Sequence, residues 1–347
     1  VQFGANFISP TNDYTLNGTT YQAERQQFVI PHLYVNYQMD SPWAFGFSVN
    51  APFGLTTDWS KSAAPFSLIT AGGDSVTLST IEAVASNVNA AYQLDEDLSL
   101  AVGLSYYDMR KVNLDSQAVW IEGSGDGTSM NAALLYKNED SDAFQYQLGL
   151  SYRGQVKVNI DGTAVGGPAL AGFNLTGVKS DVSTSMILPD VWSMGISFAL
   201  MPDLTLAIQA DRVNWATFDQ IDLAFAASPL NGATGTSSQV PENWSATTTY
   251  RVGVLWQYAV NQRVLAGYVF DPTPTNDADL SPRLPGADRS LLTLGYGYDW
   301  SDKVTIDVAY AYVQLEDRNV TAANKALYHG LYAASAQLLL ATWSYQY

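Results

Sequence analysis

Tyr250 to Gln257 reads Y-R-V-G-V-L-W-Q. Tyr250, Val252, Val254 and Trp256 share one parity, while Arg251, Gly253, Leu255 and Gln257, mixed in size and polarity, share the other. Successive side chains of an extended strand point to opposite faces, so this two-residue beat means a strand with one face in an apolar medium. The beat recurs. From Phe144 the even positions read Phe, Tyr, Leu, Leu, Tyr, Gly, Val, Val, and the odd ones from Gln145 read Gln, Gln, Gly, Ser, Arg, Gln, Lys. After Lys303, Val304, Ile306, Val308, Tyr310 and Tyr312 alternate with Thr305, Asp307, Ala309 and Ala311. A carboxylate on a lipid face near mid-depth costs about 2 kcal/mol or more, which places Asp307 on the inside.

Alternating segments fall at about 1–9, 28–39, 42–51, 76–92, 97–112, 128–137, 142–160, 184–200, 203–214, 247–258, 261–271, 289–299, 303–316 and 332–347. They predict an all-β fold, a transmembrane antiparallel β-barrel of about 14 strands forming a single domain over 1–347. The connectors alternate too. Short ones lie at Met39-Asp40-Ser41, Gln93 to Asp97, Asn138 to Ser141, Met201-Pro202, Ala259-Val260 and Ser301-Asp302. Long ones are expected at 10–27, 52–75, 113–127, 161–183, 215–246, 272–288 and 317–331. Tight turns at one rim and long loops at the other are the rhythm of an outer-membrane barrel, with both chain ends on the periplasmic side. The last strand, Q-L-L-L-A-T-W-S-Y-Q-Y, puts Trp343, Tyr345 and Tyr347 on one face, as an interfacial girdle requires.

Composition agrees. Charged residues are only 14% of the 347, and aromatics reach 12%, with 21 Tyr and 9 Trp. That mixture suits an apolar belt between two aromatic girdles. A net charge of −17 excludes a nucleic-acid partner, whose phosphates need a basic surface. The absence of cysteine removes thiolate chemistry and disulfides. The chain opens on V-Q-F-G-A-N-F without an export signal, as a mature or trimmed form would.

Function is expected in the loops and the lumen. Ala63 to Ala71 reads A-A-P-F-S-L-I-T-A, Ala164 to Leu175 reads A-V-G-G-P-A-L-A-G-F-N-L, and Leu223 to Leu230 reads L-A-F-A-A-S-P-L. Apolar external loops either capture hydrophobic molecules or pack against one another to plug the mouth. Phe66, Leu68, Ile69, Leu170, Phe173 and Leu175 are the capture candidates. On the inward parity, Arg153, Lys157, Arg251, Leu255 and Leu265 are the lumenal binding candidates, since a hydrocarbon tail with an anionic head wants an apolar pocket with a placed cation. The competing reading pairs these cations with inward acids such as Asp211 or Asp307. Pro52 cannot donate to a ladder, so it marks a break or an ordinary end of the third strand. The loop 271–289 holds Asp271, Asp277, Asp279 and Asp288 without calcium-loop spacing, and no metal site or cofactor is expected. The two histidines, His32 and His329, lie in no hydrolase motif, and no G-x-S-x-G occurs.

Several stretches, in order, resemble the FadL/TodX family of outer-membrane transporters for long-chain fatty acids and hydrophobic compounds. They are N-A-P-F-G-L-T at 50–56, S-Y-R-G-Q-V-K-V at 151–158, I-L-P-D-V-W at 187–192, V-N-W-A-T-F at 213–218, L-A-G-Y-V-F-D-P-T-P at 265–274, L-P-G-A-D-R-S-L at 284–291 and G-Y-G-Y at 295–298. The resemblance implies a monomeric fourteen-stranded barrel in contact with outer-membrane lipid and lipopolysaccharide. It implies loop capture, a tighter lumenal pocket and lateral release past a kink formed by Asn50, Ala51, Pro52, Phe53 and Gly54. It makes Arg153 the residue beside the ligand head group. The family's N-terminal hatch, with its Asn-Pro-Ala stretch, has no counterpart in this sequence. The expected function is passive uptake of a hydrophobic small molecule. A general diffusion porin, and behind it an outer-membrane lipase-type enzyme, are the alternatives.

Overall fold

The computed structural model describes residues 1–52, 54–138, 145–226, 237–325 and 327–347. Fourteen strands close into one antiparallel barrel: β1 (Gln2–Leu16), β3 (Phe28–Gln38), β4 (Trp43–Asn50), β6 (Leu78–Gln93), β7 (Leu98–Asp115), β8 (Val119–Asn138), β9 (Tyr146–Arg153), β12 (Val191–Met201), β13 (Leu204–Val213), β16 (Thr247–Ala259), β17 (Gln262–Asp271), β18 (Arg289–Ser301), β19 (Val304–Leu315) and β21 (Gly330–Tyr345). Closure runs through β1 against β21, from Gln2 opposite Ser344 to Thr15 opposite Leu331, and the terminal amine donates to Tyr345 O at 2.7 Å. Closing the sheet pairs its first strand with its last, which is the condition for strands to span a bilayer. The other described strands extend the long-loop end: β2 (Thr19–Gln22), β5 (Gly54–Asp58), β10 (Val156–Gly166), β11 (Lys179–Leu188), β14 (Gln220–Phe225), β15 (Ser237–Pro241) and β20 (Arg318–Val320).

The outward parity is the apolar one. Val102 and Leu104, Leu148 and Leu150, and Leu292 and Leu294 are all exposed on the outer wall. Aromatics collect near the short turns, including Trp43, Tyr92, Trp256 and Trp300. A second set stands higher, where the Tyr152 and Trp192 rings lie 4.6 Å apart. This is a lipid-facing belt with girdles.

Most of the expected loops are partly strand; β5 lies in 52–75, β14 and β15 in 215–246 and β20 in 317–331. β1 continues to Leu16 and turns through Asn17 (φ 51°) and Gly18 (φ 79°) into β2. An Asn-Gly pair adopts the left-handed conformation that a tight hairpin needs, a signal present at 17–18. β7 and β8 meet across Ser116–Ala118, so 113–127 is mostly ladder. β10 and β11 occupy much of 161–183.

The predicted strand over 142–160 is interrupted. Arg153 faces Asn131 of β8, and Asn159 faces Asp126, so six steps on one strand match five on the other. The extra residue at Gly154–Gln155 is a bulge, and a bulge exchanges the two faces. Beyond it Val156, Val158 and Ile160 turn inward and are buried, while Lys157 is exposed. Next to it, Pro189 and Asp190 interrupt the passage from β11 to β12 with the same exchange: Val182 and Leu188 are buried, Trp192 and Met194 exposed. The sheet curls tightly here. A Cβ on Gly125 of β8 would stand 2.0 Å from Asn159 O, so only glycine fits.

Candidate functional site

The lower lumen, toward the short turns, is polar and internally paired. Arg251 Nε donates to Asp211 Oδ2 at 2.8 Å, and Gln209 Nε2 donates to Asp211 Oδ1 at 2.7 Å. Arg263 bridges two acids, with Nη1 donating to Asp299 Oδ1 at 2.9 Å and Nη2 to Asp307 Oδ1 at 2.6 Å. Gly297 lies between Arg263 and Asp307 in the cross-strand row, and a Cβ there would stand 2.5 Å from each side chain. The glycine therefore lets the guanidinium reach across one strand. Across the lumen, Asn87 Nδ2 donates to Ser105 Oγ at 2.7 Å. The competing expectation for the cations holds for Arg251, which is committed to Asp211. Leu255 and Leu265 face one another across β16 and β17 on the lumenal parity. Arg153 also has the lumenal parity, opposite Val191 and Asn131. Lys157 does not: the bulge turns it to the outer face, because one inserted residue reverses every later side chain.

Above this floor the mouth is packed with apolar side chains. Tyr14 of β1 and Tyr332 of β21 point inward and meet Trp59, Phe66, Val76, Leu280 and Val320 from three different connections, all buried. Phe66 is edge-on to Tyr14 (4.9 Å), Trp59 (5.3 Å) and Tyr328 (6.2 Å). Trp59 Nε1 donates to Pro282 O at 3.1 Å, and Tyr328 OH donates to Asp74 O at 2.5 Å, so three loops are tied across the opening. Phe66 is thus a plug residue with no surface to offer a ligand, which corrects its assignment to capture. Leu68, Ile69 and Phe173 are exposed, on or beside two short 3₁₀ helices, Ile69–Asp74 and Pro168–Phe173. Leu170 packs against the buried group formed by Ala164, Val182, Leu223 and Phe225, and Leu175 is half-buried. Residues 227–230 of the third apolar loop lie outside the described residues.

Beside the plug, in the concave upper sheet, is a cavity with about 760 Å³ of empty space, part of it open to solvent. Ile81, Val112, Ile160, Met186, Phe218 and Leu223 give it apolar walls, and Asn113, Thr184, Glu242 and Arg283 are among its polar members, with three serines. Burial pushes the Glu242 carboxyl up to about 7, against a hydrogen bond from Trp244 and the nearby Arg283 charge. Asp115 is pushed up to about 6 by the same cause. Arg283 is deeply enclosed, and burial lowers its pKa despite Tyr328, Glu242 and Asp115 around it. None of the five lumenal candidates lines this cavity. Its residues were hidden from sequence reading because they come from β6, β7, β8, β10, β11, β14 and two loops. The one available signal was Arg283 as a lone cation in L-S-P-R-L-P.

Among the described residues the ladder of the wall is interrupted beside β3. The β3–β4 ladder ends at Leu33 opposite Val49. Asn50 faces Ala85 of β6 but Gly54 faces Glu82, so four steps match three and one residue is in excess around Ala51 and Pro52. Among the described residues no ladder joins Phe28–His32 of β3 to Gly54–Asp58 of β5. Phe53 lies outside the described residues. Elsewhere, His32 Nε2 lies 3.3 Å from Thr342 Oγ1 in the lumen, and among the described residues no cluster of acids and histidines is suited to a metal.

The whole chain, residues 1–347, matches the family model described as outer membrane protein transport protein (OMPP1/FadL/TodX). The long-chain fatty acid transport protein of Escherichia coli O6:H1 is 22% identical over 363 residues, covering 89% of this chain and 76% of the relative. Outer membrane protein P1 of Haemophilus influenzae is 20% identical, covering 82% and 66%. Among solved structures, a Pseudomonas aeruginosa FadL homologue superposes with a TM-score of 0.81 at 17% identity, over 99% of this chain and 89% of that one. The Pseudomonas putida toluene transporter TodX gives 0.73 at 18% identity, over 100% and 89%. A closed lipid-facing barrel, a plugged mouth and an end-to-end family match lead to one assignment: this chain belongs to the OMPP1/FadL/TodX family of bacterial outer-membrane transport proteins, a channel and not an enzyme.

Proposed function

We propose that the protein is a monomeric, passive uptake channel for hydrophobic small molecules. The observation that carries this reading is an apolar cavity set in a plugged mouth, directly above a polar, ion-paired lumen. Leu68, Ile69 and Phe173 offer the first apolar contact outside. The cavity holds the molecule, each buried methylene contributing about 0.8 kcal/mol. Moving on through the lower lumen would set hydrocarbon against Arg251–Asp211, Arg263–Asp307 and the asparagines, which gains nothing. The interrupted ladder at Asn50 to Gly54 offers the alternative, a sideways exit into the bilayer. Arg153, at the upper edge of the polar floor, is placed to meet a polar head on the way. Names of relatives supply the ligand range, long-chain fatty acids and toluene.

A general diffusion porin needs an open water-filled mouth, and the buried Tyr14–Phe66–Trp59 group works against one. Saturable binding of a labelled hydrophobe with little steady conductance in planar bilayers supports the uptake channel. Large ohmic conductance without saturable binding overturns it in favour of a porin.

A further inference from the structure

Successive residues of a strand turn their backbone N–H and C=O to opposite neighbours, so one observed rung fixes the others in its register. Val1 and Tyr345 exchange hydrogen bonds at 2.7 Å, which sends odd residues of β1 towards β21 and even ones towards β3. Met39 N donates to Trp43 O at 3.1 Å, so odd residues of β3 face β4. Gln93 N donates to Pro42 O at 2.9 Å, so even residues of β4 face β6.

Each of these three ladders stops at a proline. The β1–β3 ladder runs to Ile8 opposite Phe28, and its next rung falls on Pro10. The β3–β4 ladder runs to Leu33 opposite Val49, and its next rung sets Pro31 against Ala51. The β4–β6 ladder runs to Asn50 opposite Ala85, and its next rung falls on Pro52. Proline has no N–H, and all three turn that missing donor to the side where pairing ends. On their other sides Pro10 stands within the unbroken β1–β21 ladder, opposite Ala336, and Pro31 within the β1–β3 ladder, opposite Ala5. Those ladders survive because they ask neither proline for a donor.

Hydrogen bonding resumes beyond the prolines. Ala23 N donates to Asn12 O at 3.0 Å, Glu24 N donates to Asp58 O at 2.8 Å, and Gly54 faces Glu82. The interruption is therefore bounded at both ends. Val29, Phe7 and Leu339 form one cross-strand row beside it and are exposed on the outer wall, which sets it at the level of the lipid belt. An unpaired N–H finds no water there, and a proline presents none.

Resting on sideways release as the way out, we propose that Pro10 and Pro31, together with Pro52, are the positioning residues of the exit: each withholds the donor that would carry a ladder across it, so the wall stays unzipped between β3 and β5.

The test compares the parent with Pro31→Ala and with the double variant Pro10→Ala/Pro31→Ala, which return the donors. Initial uptake of radiolabelled oleate by whole cells, with toluene as a second probe, is set beside equilibrium dialysis of the same probes against the purified proteins in micelles. Hydrogen exchange is followed at the Ala51 amide. Each returned donor should shift the balance towards the closed ladder by about two- to tenfold. Uptake should fall accordingly, affinity should stay that of the parent, and Ala51 should exchange more slowly. Retained barrel mobility on unheated gels shows that the variants are folded. Unchanged exchange at Ala51 overturns the assignment of the prolines while the release route stands. Slower exchange with unchanged uptake overturns sideways release, and the prolines' part in it. Uptake and affinity falling together would place the effect in the cavity and overturn the assignment as well. No uptake of either probe by the parent overturns the uptake channel itself.

Discussion

Replacing Phe66 with alanine tests the plug most directly. The side chain is fully buried and meets the rings of Tyr14, Trp59 and Tyr328 edge-on at 4.9, 5.3 and 6.2 Å. Truncating a buried phenylalanine costs about 3–5 kcal/mol, from lost transfer energy and the cavity left behind. Edge-to-face pairs add about 0.5–1.5 kcal/mol each to what burial alone gives, which puts Phe66 in the upper part of that range. The barrel wall does not depend on this residue, because its ladders close through β1 and β21 without it. The loss should therefore fall on the packed mouth and leave the barrel standing. In planar bilayers Phe66→Ala should convert a nearly silent protein into one with frequent long openings. Limited proteolysis should cut the connection 59–77 in the variant and spare it in the parent. Phe66→Leu, which refills most of the volume, should lie between them. A Phe66→Ala protein as silent and as protease-resistant as the parent would refute the idea that this cluster closes the mouth.

Other expectations follow from the same structure. Arg263→Met leaves Asp299 and Asp307 facing one another without their shared cation; breaking a buried pair costs about 3–5 kcal/mol, and less here because each acid side chain is 34% exposed, so the temperature of the gel-shift transition should fall. Glu242 is protonated in the folded mouth up to about 7 but loses its proton near 4.5 when unfolded, so the folded mouth is unaffected below 4.5, weakens as pH rises between these values, and is weaker by about 3 kcal/mol above 7. Protease cleavage of the loops should accordingly speed up from pH 5 to pH 8, and Glu242→Gln should flatten that profile; an unchanged profile would remove Glu242 as the cause. Deleting Pro52 removes the excess residue, which should extend the ladder beside β3, slow uptake by whole cells and leave dialysis-measured binding intact. Phe173→Asp changes an exposed residue, so uptake should slow while the melting behaviour stays within about 0.5 kcal/mol of the parent.

The barrel was legible from the chain alone, because each lipid-facing strand repeats a local signal. Tyr250, Val252 and Trp256 face out and Arg251 and Leu255 face in, as their alternation requires. A two-residue period survives every detail of tertiary packing so long as no residue is inserted. Lys157 shows the limit. In a regular strand its parity would match that of Arg153, and one extra residue at Gly154–Gln155 reverses it. No composition rule announces such a bulge, although Gly154 permits it. Phe66 shows a second limit: apolar residues of an external loop look the same in sequence whether they meet a ligand or Tyr14 and Trp59.

The sequence by itself determined that alternate side chains face hydrocarbon, and with that the strand count, the two rims and the exclusion of nucleic acid. Only the tertiary structure decided that apolar side chains from three connections pack together in the mouth, that the ladder fails between β3 and β5, and that Asn113, Thr184, Glu242 and Arg283 border one cavity. The reason is physical. Facing lipid is a property of neighbours along a strand, whereas a cavity is made by residues such as Ile81 and Arg283, brought together only when loops and wall close on each other.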